Sequence, residues 1–194
     1  MNTVNVSRRR LLQASAVTGG GLVVGFAFTG CSSTPEPLPV ANTEGAWTPN
    51  AFIQVLPDNT IRVYTARSEM GQGVTTGLAT LVGEELDVNP FDMDICFAGV
   101  HEDYANPVFG MQGTGGSTSI RAHYKQLRQA GANTRALILE AAARDLGLAT
   151  SSLTTDNGYV LAGEARHPYS DFIATAQSLA IEADAPLKPA AEFQ

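Results

Sequence analysis

Two glycine-bearing strings constrain this chain most. Glu69-Met70-Gly71-Gln72-Gly73 and Met111-Gln112-Gly113-Thr114-Gly115-Gly116-Ser117-Thr118-Ser119 each stand immediately ahead of a helical pattern. A helix start offers unpaired N–H groups and partial positive charge, so it suits an anion such as a phosphate. Glycines there let the backbone come close to a large ligand. Gln72 and Gln112 carry amides that donate and accept at once, as reading the edge of a heterocycle requires. Ser117, Thr118 and Ser119 can cap a helix or bond ligand oxygens. On spacing alone, a plain turn at Gly71 and Gly73 and a capped helix after Ser117 satisfy the pattern as well.

The elements around these strings read as an α+β layout. Phe52 to Leu56 and Ile61 to Ala66 form a hairpin whose turn chemistry lies in Pro57-Asp58-Asn59-Thr60. Val74, Leu78, Leu81, Val82 and Leu86 recur at helical spacing until Asn89-Pro90. Phe91, Met93, Ile95 and Phe97 alternate with Asp92, Asp94, Cys96 and Ala98, which predicts a half-buried strand. A loop from Gly99 to Gly116 leads to the longest helix, Ser119 to Leu146. Its expected face is Ile120, Tyr124, Leu127, Gly131, Ile138, Ala142 and Leu146, with Gly147 as cap and Gly131 at a close approach. A hairpin around Asp156-Asn157-Gly158 and a final helix, Asp171 to Leu179, complete the order β-β-α-β-α-β-β-α.

Several chemistries are excluded or made remote. Gly113-Thr114-Gly115-Gly116-Ser117 follows no convincing strand, and no acidic residue stands at a strand end about 20 residues on, so the dinucleotide-fold fingerprint fails. The lysine of a phosphate-binding P-loop is missing as well. A net charge of −7 argues against a nucleic-acid surface. Two cysteines, Cys31 and Cys96, cannot build an iron–sulfur cluster, a thiolate zinc site or a disulfide framework. Cys96 reads as a small buried hydrophobe, and His101, His123 and His167 share no ligand spacing, so no metal ligand is assigned.

The N-terminus reads as a leader. Ser7-Arg8-Arg9-Arg10-Leu11-Leu12 followed by an apolar, glycine-rich stretch to about Phe28 is a twin-arginine export signal, expected over residues 1–30. Gln13, Ser15, Thr18 and Gly19-Gly20-Gly21 interrupt that stretch and make it a poor membrane span, the alternative being an uncleaved anchor. Phe28-Thr29-Gly30-Cys31 resembles a lipobox, with Phe28 in place of the usual aliphatic residue, so Cys31 is a candidate for lipidation. Residues 31–46 read as a Pro- and Ser-rich linker, and residues 47–194 as the folded part. The expected location is the periplasm, free or anchored on the periplasmic side of the membrane.

Ser68-Glu69-Met70-Gly71-Gln72-Gly73 ahead of a helix resembles the cofactor loop of the xanthine dehydrogenase and aldehyde oxidase superfamily. The run Ala105-Asn106-Pro107-Val108-Phe109-Gly110-Met111-Gln112-Gly113-Thr114-Gly115-Gly116-Ser117-Thr118-Ser119-Ile120-Arg121 resembles, within it, the isoquinoline 1-oxidoreductase β-subunit group. The resemblance implies a molybdopterin cofactor, in its cytosine dinucleotide form, held without a protein thiolate on the metal. By position, Met70, Gly71, Gln72 and Gly73 would contact the pterin, and Thr114, Gly115, Gly116, Ser117 and Ser119 its phosphates or nucleotide. It further implies an oxidoreductase large subunit that hydroxylates N-heterocycles or oxidises aldehydes and passes electrons to a [2Fe–2S] small subunit. Such subunits are several times longer, and the catalytic glutamate of the superfamily falls outside residues 1–194. No catalytic residue is therefore assigned, and Glu69 is given a structural role. The expectation is an N-terminal, truncated part of a molybdopterin-binding domain that does not turn over alone. The alternative is a small exported lipoprotein that binds without catalysis.

Overall fold

In the computed structural model, which describes residues 37–194, the first hairpin forms where the turn chemistry calls for it. Strands β2 (Ile53–Val55) and β3 (Ile61–Thr65) pair antiparallel in the register Val55↔Ile61 and Ile53↔Val63. Asn59 takes a positive φ of 69°, and Asp58 Oδ1 accepts from the Thr60 N–H at 2.9 Å. A strand not foreseen precedes them. β1 (Trp47–Asn50) pairs with β2 across an irregular register, despite Pro49. Pro is tolerated because β1 is an edge strand. The Asn50 side chain accepts from the Phe52 N–H at 3.0 Å to turn the corner.

Helix α1 (Val74–Leu86) crosses from β3 to β4 (Asp94–Phe97), and the two strands run parallel, Thr65 beside Phe97. The first sheet thus has the order β1-β2-β3-β4 and contains one β-α-β unit. The strand expected from Phe91 starts only at Asp94. Asn89 Oδ1 accepts from the Phe91 N–H at 3.1 Å and winds Pro90–Asp92 into a 3-10 turn. Nor is it evenly half-buried: Phe91, in that turn, is 82% exposed, and Phe97, at the end of the edge strand β4, is 62% exposed. Cys96 on this strand is half-buried.

Helix α2 (Ser119–Leu146) has the expected limits, with Gly147 capping in the left-handed region. It packs on α1, β1, β2 and β5. Gly131 sits at the closest point. A Cβ there would lie 2.7 Å from the Val82 carbonyl oxygen and 3.0 Å from Glu85 Cβ, so only glycine admits this approach. The face predicted for α2 is shifted at its start. Ile120 and Tyr124 are exposed, and the buried line runs through His123 and Leu127, because the first turns pack toward Arg67.

A second sheet, β5 (Leu153–Asp156), β6 (Tyr159–Ala162) and β7 (Ala165–Pro168), is an antiparallel meander. Asn157 and Gly158 both have positive φ, as a tight hairpin turn of opposite hand demands. Strand β7 is an addition to the predicted order. The final helix expected over Asp171 to Leu179 is shorter: a 3-10 turn (Tyr169–Phe172) runs into a single turn, α3 (Ile173–Ala176). The layout remains α+β. The non-regular segment 37–46 lies against the first sheet, where Leu38 and Val40 join the core and the Ala41 N–H donates to the Tyr64 hydroxyl at 2.8 Å. The twin-arginine and lipobox readings at Ser7 to Cys31 lie outside the described residues.

Candidate functional site

Both glycine-bearing strings come together at the carboxyl ends of the parallel strands β3 and β4, the place where such strand pairs open a crevice for ligands. The first string continues from β3 through Ala66 and Arg67. The second begins after β4, is steered by the 3-10 turn Glu102–Tyr104, and runs into α2. They touch directly, since the Ser68 N–H donates to Thr114 Oγ1 at 2.8 Å. Between them is a cleft of about 250 Å³, with Ala66 to Ser68 on one wall, Gln112 to Thr114 on the other, and Phe97 at the edge.

The first string closes on itself. Glu69 Oε1 accepts from the Gly71 N–H at 2.8 Å and the Gly73 N–H at 2.9 Å, and its Oε2 accepts from the Thr75 N–H at 3.1 Å and hydroxyl at 3.0 Å. These bonds to backbone N–H groups hold the carboxyl at about 2, well below the ordinary value. The start of α1, which the sequence offers to an external anion, is therefore capped from within. Gln72 is used likewise. Its amide accepts from the Met70 N–H at 2.5 Å and donates to the Ser68 carbonyl at 2.9 Å. What this loop presents outward is the Met70 side chain, 72% exposed, and bare backbone. A Cβ on Gly71 or Gly73 would meet nothing within 4 Å, and both glycines have positive φ.

The second string is held from beneath. Asn106 is fully buried. Its side-chain amide donates to Thr118 Oγ1 at 2.7 Å, and its backbone bonds Met111 and Gly110. Thr118 in turn donates to the Gly115 carbonyl at 2.9 Å. Gln112 donates to the Gly99 carbonyl at 3.0 Å, so its amide fastens the loop. Gly115, Gly116 and Ser117 stand exposed, the last two at positive φ, and Ser119 opens α2. Gly116 lies against the Phe109 ring. Met70, Phe97, Val100, Val108, Phe109 and Met111 are all exposed on or beside these loops.

Below the cleft lies a group that spacing did not single out. Arg67 is 1% exposed. Its Nη1 donates to the Ala66 carbonyl at 2.7 Å, and its Nη2 reaches the Tyr104 carbonyl at 3.4 Å and His123 Nε2 at 2.7 Å. His123 Nδ1 is 2.9 Å from the Ser119 carbonyl, so that nitrogen donates and Nε2 accepts. Burial, and then the Arg67 charge, push the imidazole pKa down. Arg67 thus ties the root of the first string to the segments that precede and follow the second. Tyr104 completes the frame by donating to the Ala51 carbonyl at 2.6 Å, its hydroxyl pushed up to about 12 by burial. No spacing signal pointed to Arg67 or His123, since the expected face of α2 ran through Ile120 and Tyr124 instead.

The molybdopterin cofactor-binding domain model matches residues 2–194. The chain belongs to that family. It is 32% identical over 97% of its length to a membrane-bound aldehyde dehydrogenase (pyrroloquinoline-quinone) of Gluconacetobacter polyoxogenes, covering 24% of that protein. It is 30% identical over 90% of its length to the isoquinoline 1-oxidoreductase subunit beta of Brevundimonas diminuta, covering 22%. The chain thus spans about a quarter of the length of these relatives. Among solved structures, a CO dehydrogenase from Oligotropha carboxidovorans aligns with 70% of this chain and 17% of its own at 18% identity and a TM-score of 0.49. The residues present fit the family's cofactor. Outward-facing glycine backbone leaves room for a broad, flat ligand, and the buried Arg67 Nε has no partner in the protein.

Proposed function

We propose that the chain forms part of the molybdopterin cradle of an oxidoreductase large subunit that hydroxylates an N-heterocycle or oxidises an aldehyde. Electrons would pass to a [2Fe–2S] small subunit. The observation that carries this reading is the meeting of both strings at one crevice, fastened by the Ser68–Thr114 bond at 2.8 Å. The substrate classes follow the names of the relatives, an aldehyde dehydrogenase and an isoquinoline oxidoreductase. The cytosine dinucleotide form of the cofactor follows the resemblance of the second string.

When bound, the cofactor supplies the redox centre for oxidation of the substrate carbon. This chain's residues bind and orient it. Met70, Gly71, Gln72 and Gly73 present a preformed edge, because Glu69 has already ordered the loop. Thr114, Gly115, Gly116, Ser117 and Ser119 line the opposite edge, set by Asn106 and Thr118 from below. Phe97, Phe109 and Met111 leave apolar side chains exposed beside these loops, surface that a bound ligand can cover. The leader at Ser7 to Leu12 supports export to the periplasm, and Cys31 supports a lipid anchor there. A binding-only lipoprotein is the weaker reading, because the family match runs through nearly the whole chain.

The test is to produce the chain together with its small subunit, then measure molybdenum by mass spectrometry and extract the cofactor. Stoichiometric molybdenum with a pterin dinucleotide is expected. Recovery of pyrroloquinoline quinone, named for the Gluconacetobacter relative, or of no cofactor at all, would overturn the reading.

A further inference from the structure

Two arginines are buried among the described residues, Arg67 and Arg128. Arg128 has the carboxylate of Glu85 at 2.8 Å from its Nε. Arg67 has none: two backbone carbonyls and a neutral imidazole are its neighbours, and its Nε has no hydrogen-bond partner. A guanidinium remains charged in proteins, and a buried charge without a counter-charge is strongly unfavourable. His123 does not relieve it, since the imidazole is locked as an acceptor by its bond to Ser119. Arg67 also lines the cleft between the two strings, which offers the Thr114 hydroxyl and the Gly113 backbone opposite.

We infer that this cleft takes a phosphate-type oxyanion whose charge compensates Arg67. In the loaded protein that anion is a phosphate of the bound cofactor, so this part of the inference rests on the function proposed above. The site is otherwise a property of the chain alone. The start of α1 does not compete for the anion, because Glu69 already occupies it. Arg67 is a positioning residue: it sets the two strings in register through Tyr104 and His123, and it draws the anion through its charge.

The experiment titrates the cofactor-free chain with inorganic pyrophosphate at low ionic strength, by calorimetry and by melting temperature. Saturable binding that raises the melting temperature is expected. Arg67→Met should weaken it by about tenfold or more, the effect of removing a positive charge close to the anion. Arg67→Lys should retain part of it. Without the anion, Arg67→Met should melt close to the parent chain, since relief of the uncompensated charge offsets the lost bonds to Ala66, Tyr104 and His123, and this separates lost binding from lost folding. Equal stabilisation by chloride at matched ionic strength, or equal pyrophosphate binding by Arg67→Met, would overturn the inference. A chain loaded with the cofactor should no longer bind pyrophosphate here, whereas continued binding would mean that free anions are the ligand and would overturn the assignment to a cofactor phosphate. Retained molybdopterin with no effect of Arg67→Met on pyrophosphate would sink the anion site alone. Arg67-dependent pyrophosphate binding in a chain that never retains molybdopterin would sink the cofactor reading alone.

Discussion

Arg67 and Arg128 are both buried, yet the protein compensates them in different ways. Arg128 lies in the seam between α1 and α2. It meets Glu85, which is fully buried, bonds the Lys188 carbonyl at 2.6 Å, and has the rings of Tyr124 and Phe193 at 5.3 and 4.8 Å. The second Glu85 oxygen accepts from the Lys188 N–H at 3.1 Å. Nothing is left over. Arg67, at the root of the cradle, is left with an unpartnered Nε and no carboxylate. A charge closed by the protein's own groups holds elements together, and a charge left open marks where a ligand completes the structure.

Breaking the closed pair has the largest expected effect. Glu85→Gln strands a buried guanidinium and should cost about 3–5 kcal/mol of stability in urea unfolding. Replacing both partners, Glu85→Leu with Arg128→Leu, should cost far less than the two single changes summed, because no orphan charge remains. If Glu85→Gln proves as mild as Arg67→Met, the contrast between the two arginines collapses. Gly131→Ala probes the same seam by overpacking it. The added methyl would stand 2.7 Å from the Val82 carbonyl and 3.0 Å from Glu85 Cβ. Neither neighbour is a flexible side-chain end, so a loss of about 1–3 kcal/mol is expected from thermal unfolding.

The closed region was the more legible of the two in the sequence. Periodicity placed both long helices, and the glycine at position 131 announced their close approach. The Asn157-Gly158 and Asp58-Asn59 turns declared themselves because their backbone demands are local. Strands β1 and β7 did not, since pairing with a neighbour decides them and Pro49 and Pro168 argue locally against a strand. In the cradle, spacing marked where the backbone opens to a ligand. It was blind to how the loops are held. Arg67 and His123 are 56 positions apart and meet only because β3 ends beside the start of α2. The sequence also offered the start of α1 to an outside anion, and only the structure shows Glu69 already bound there.

The open region should be the more sensitive to acid. The folded-state pKa of His123 lies below its ordinary value, so above pH about 6.5 both folded and unfolded chains hold it neutral and it costs nothing. As pH falls below that, the unfolded chain takes up a proton that the folded chain refuses beside Arg67, and stability declines. The decline ends below the folded pKa, where both states are protonated. Urea midpoints measured from pH 7.5 to 5 should show this slope in the parent chain and a flatter one in His123→Gln. A slope unchanged in that variant would assign the acid sensitivity elsewhere and weaken the view of Arg67 as an uncompensated charge.

Glu69 supplies the smallest and most local effect, and it sharpens the comparison from the other side. It is an anion at the mouth of the cradle whose partners all belong to its own loop. Its carboxyl is held at about 2, so its contribution is complete above the ordinary value near 4.5 and fades as pH falls from there toward 2. Glu69→Gln removes the charge but keeps the shape. Hydrogen exchange at Gly71, Gly73 and Thr75 should quicken, while the global melting curve scarcely moves, because these bonds lie at the surface and order only the loop. Cofactor retention should fall together with that local order if the loop's preformed edge is what binds. Retention unchanged despite faster exchange would show that the ligand orders this loop for itself, leaving the Arg67 side of the cradle as the part built in advance.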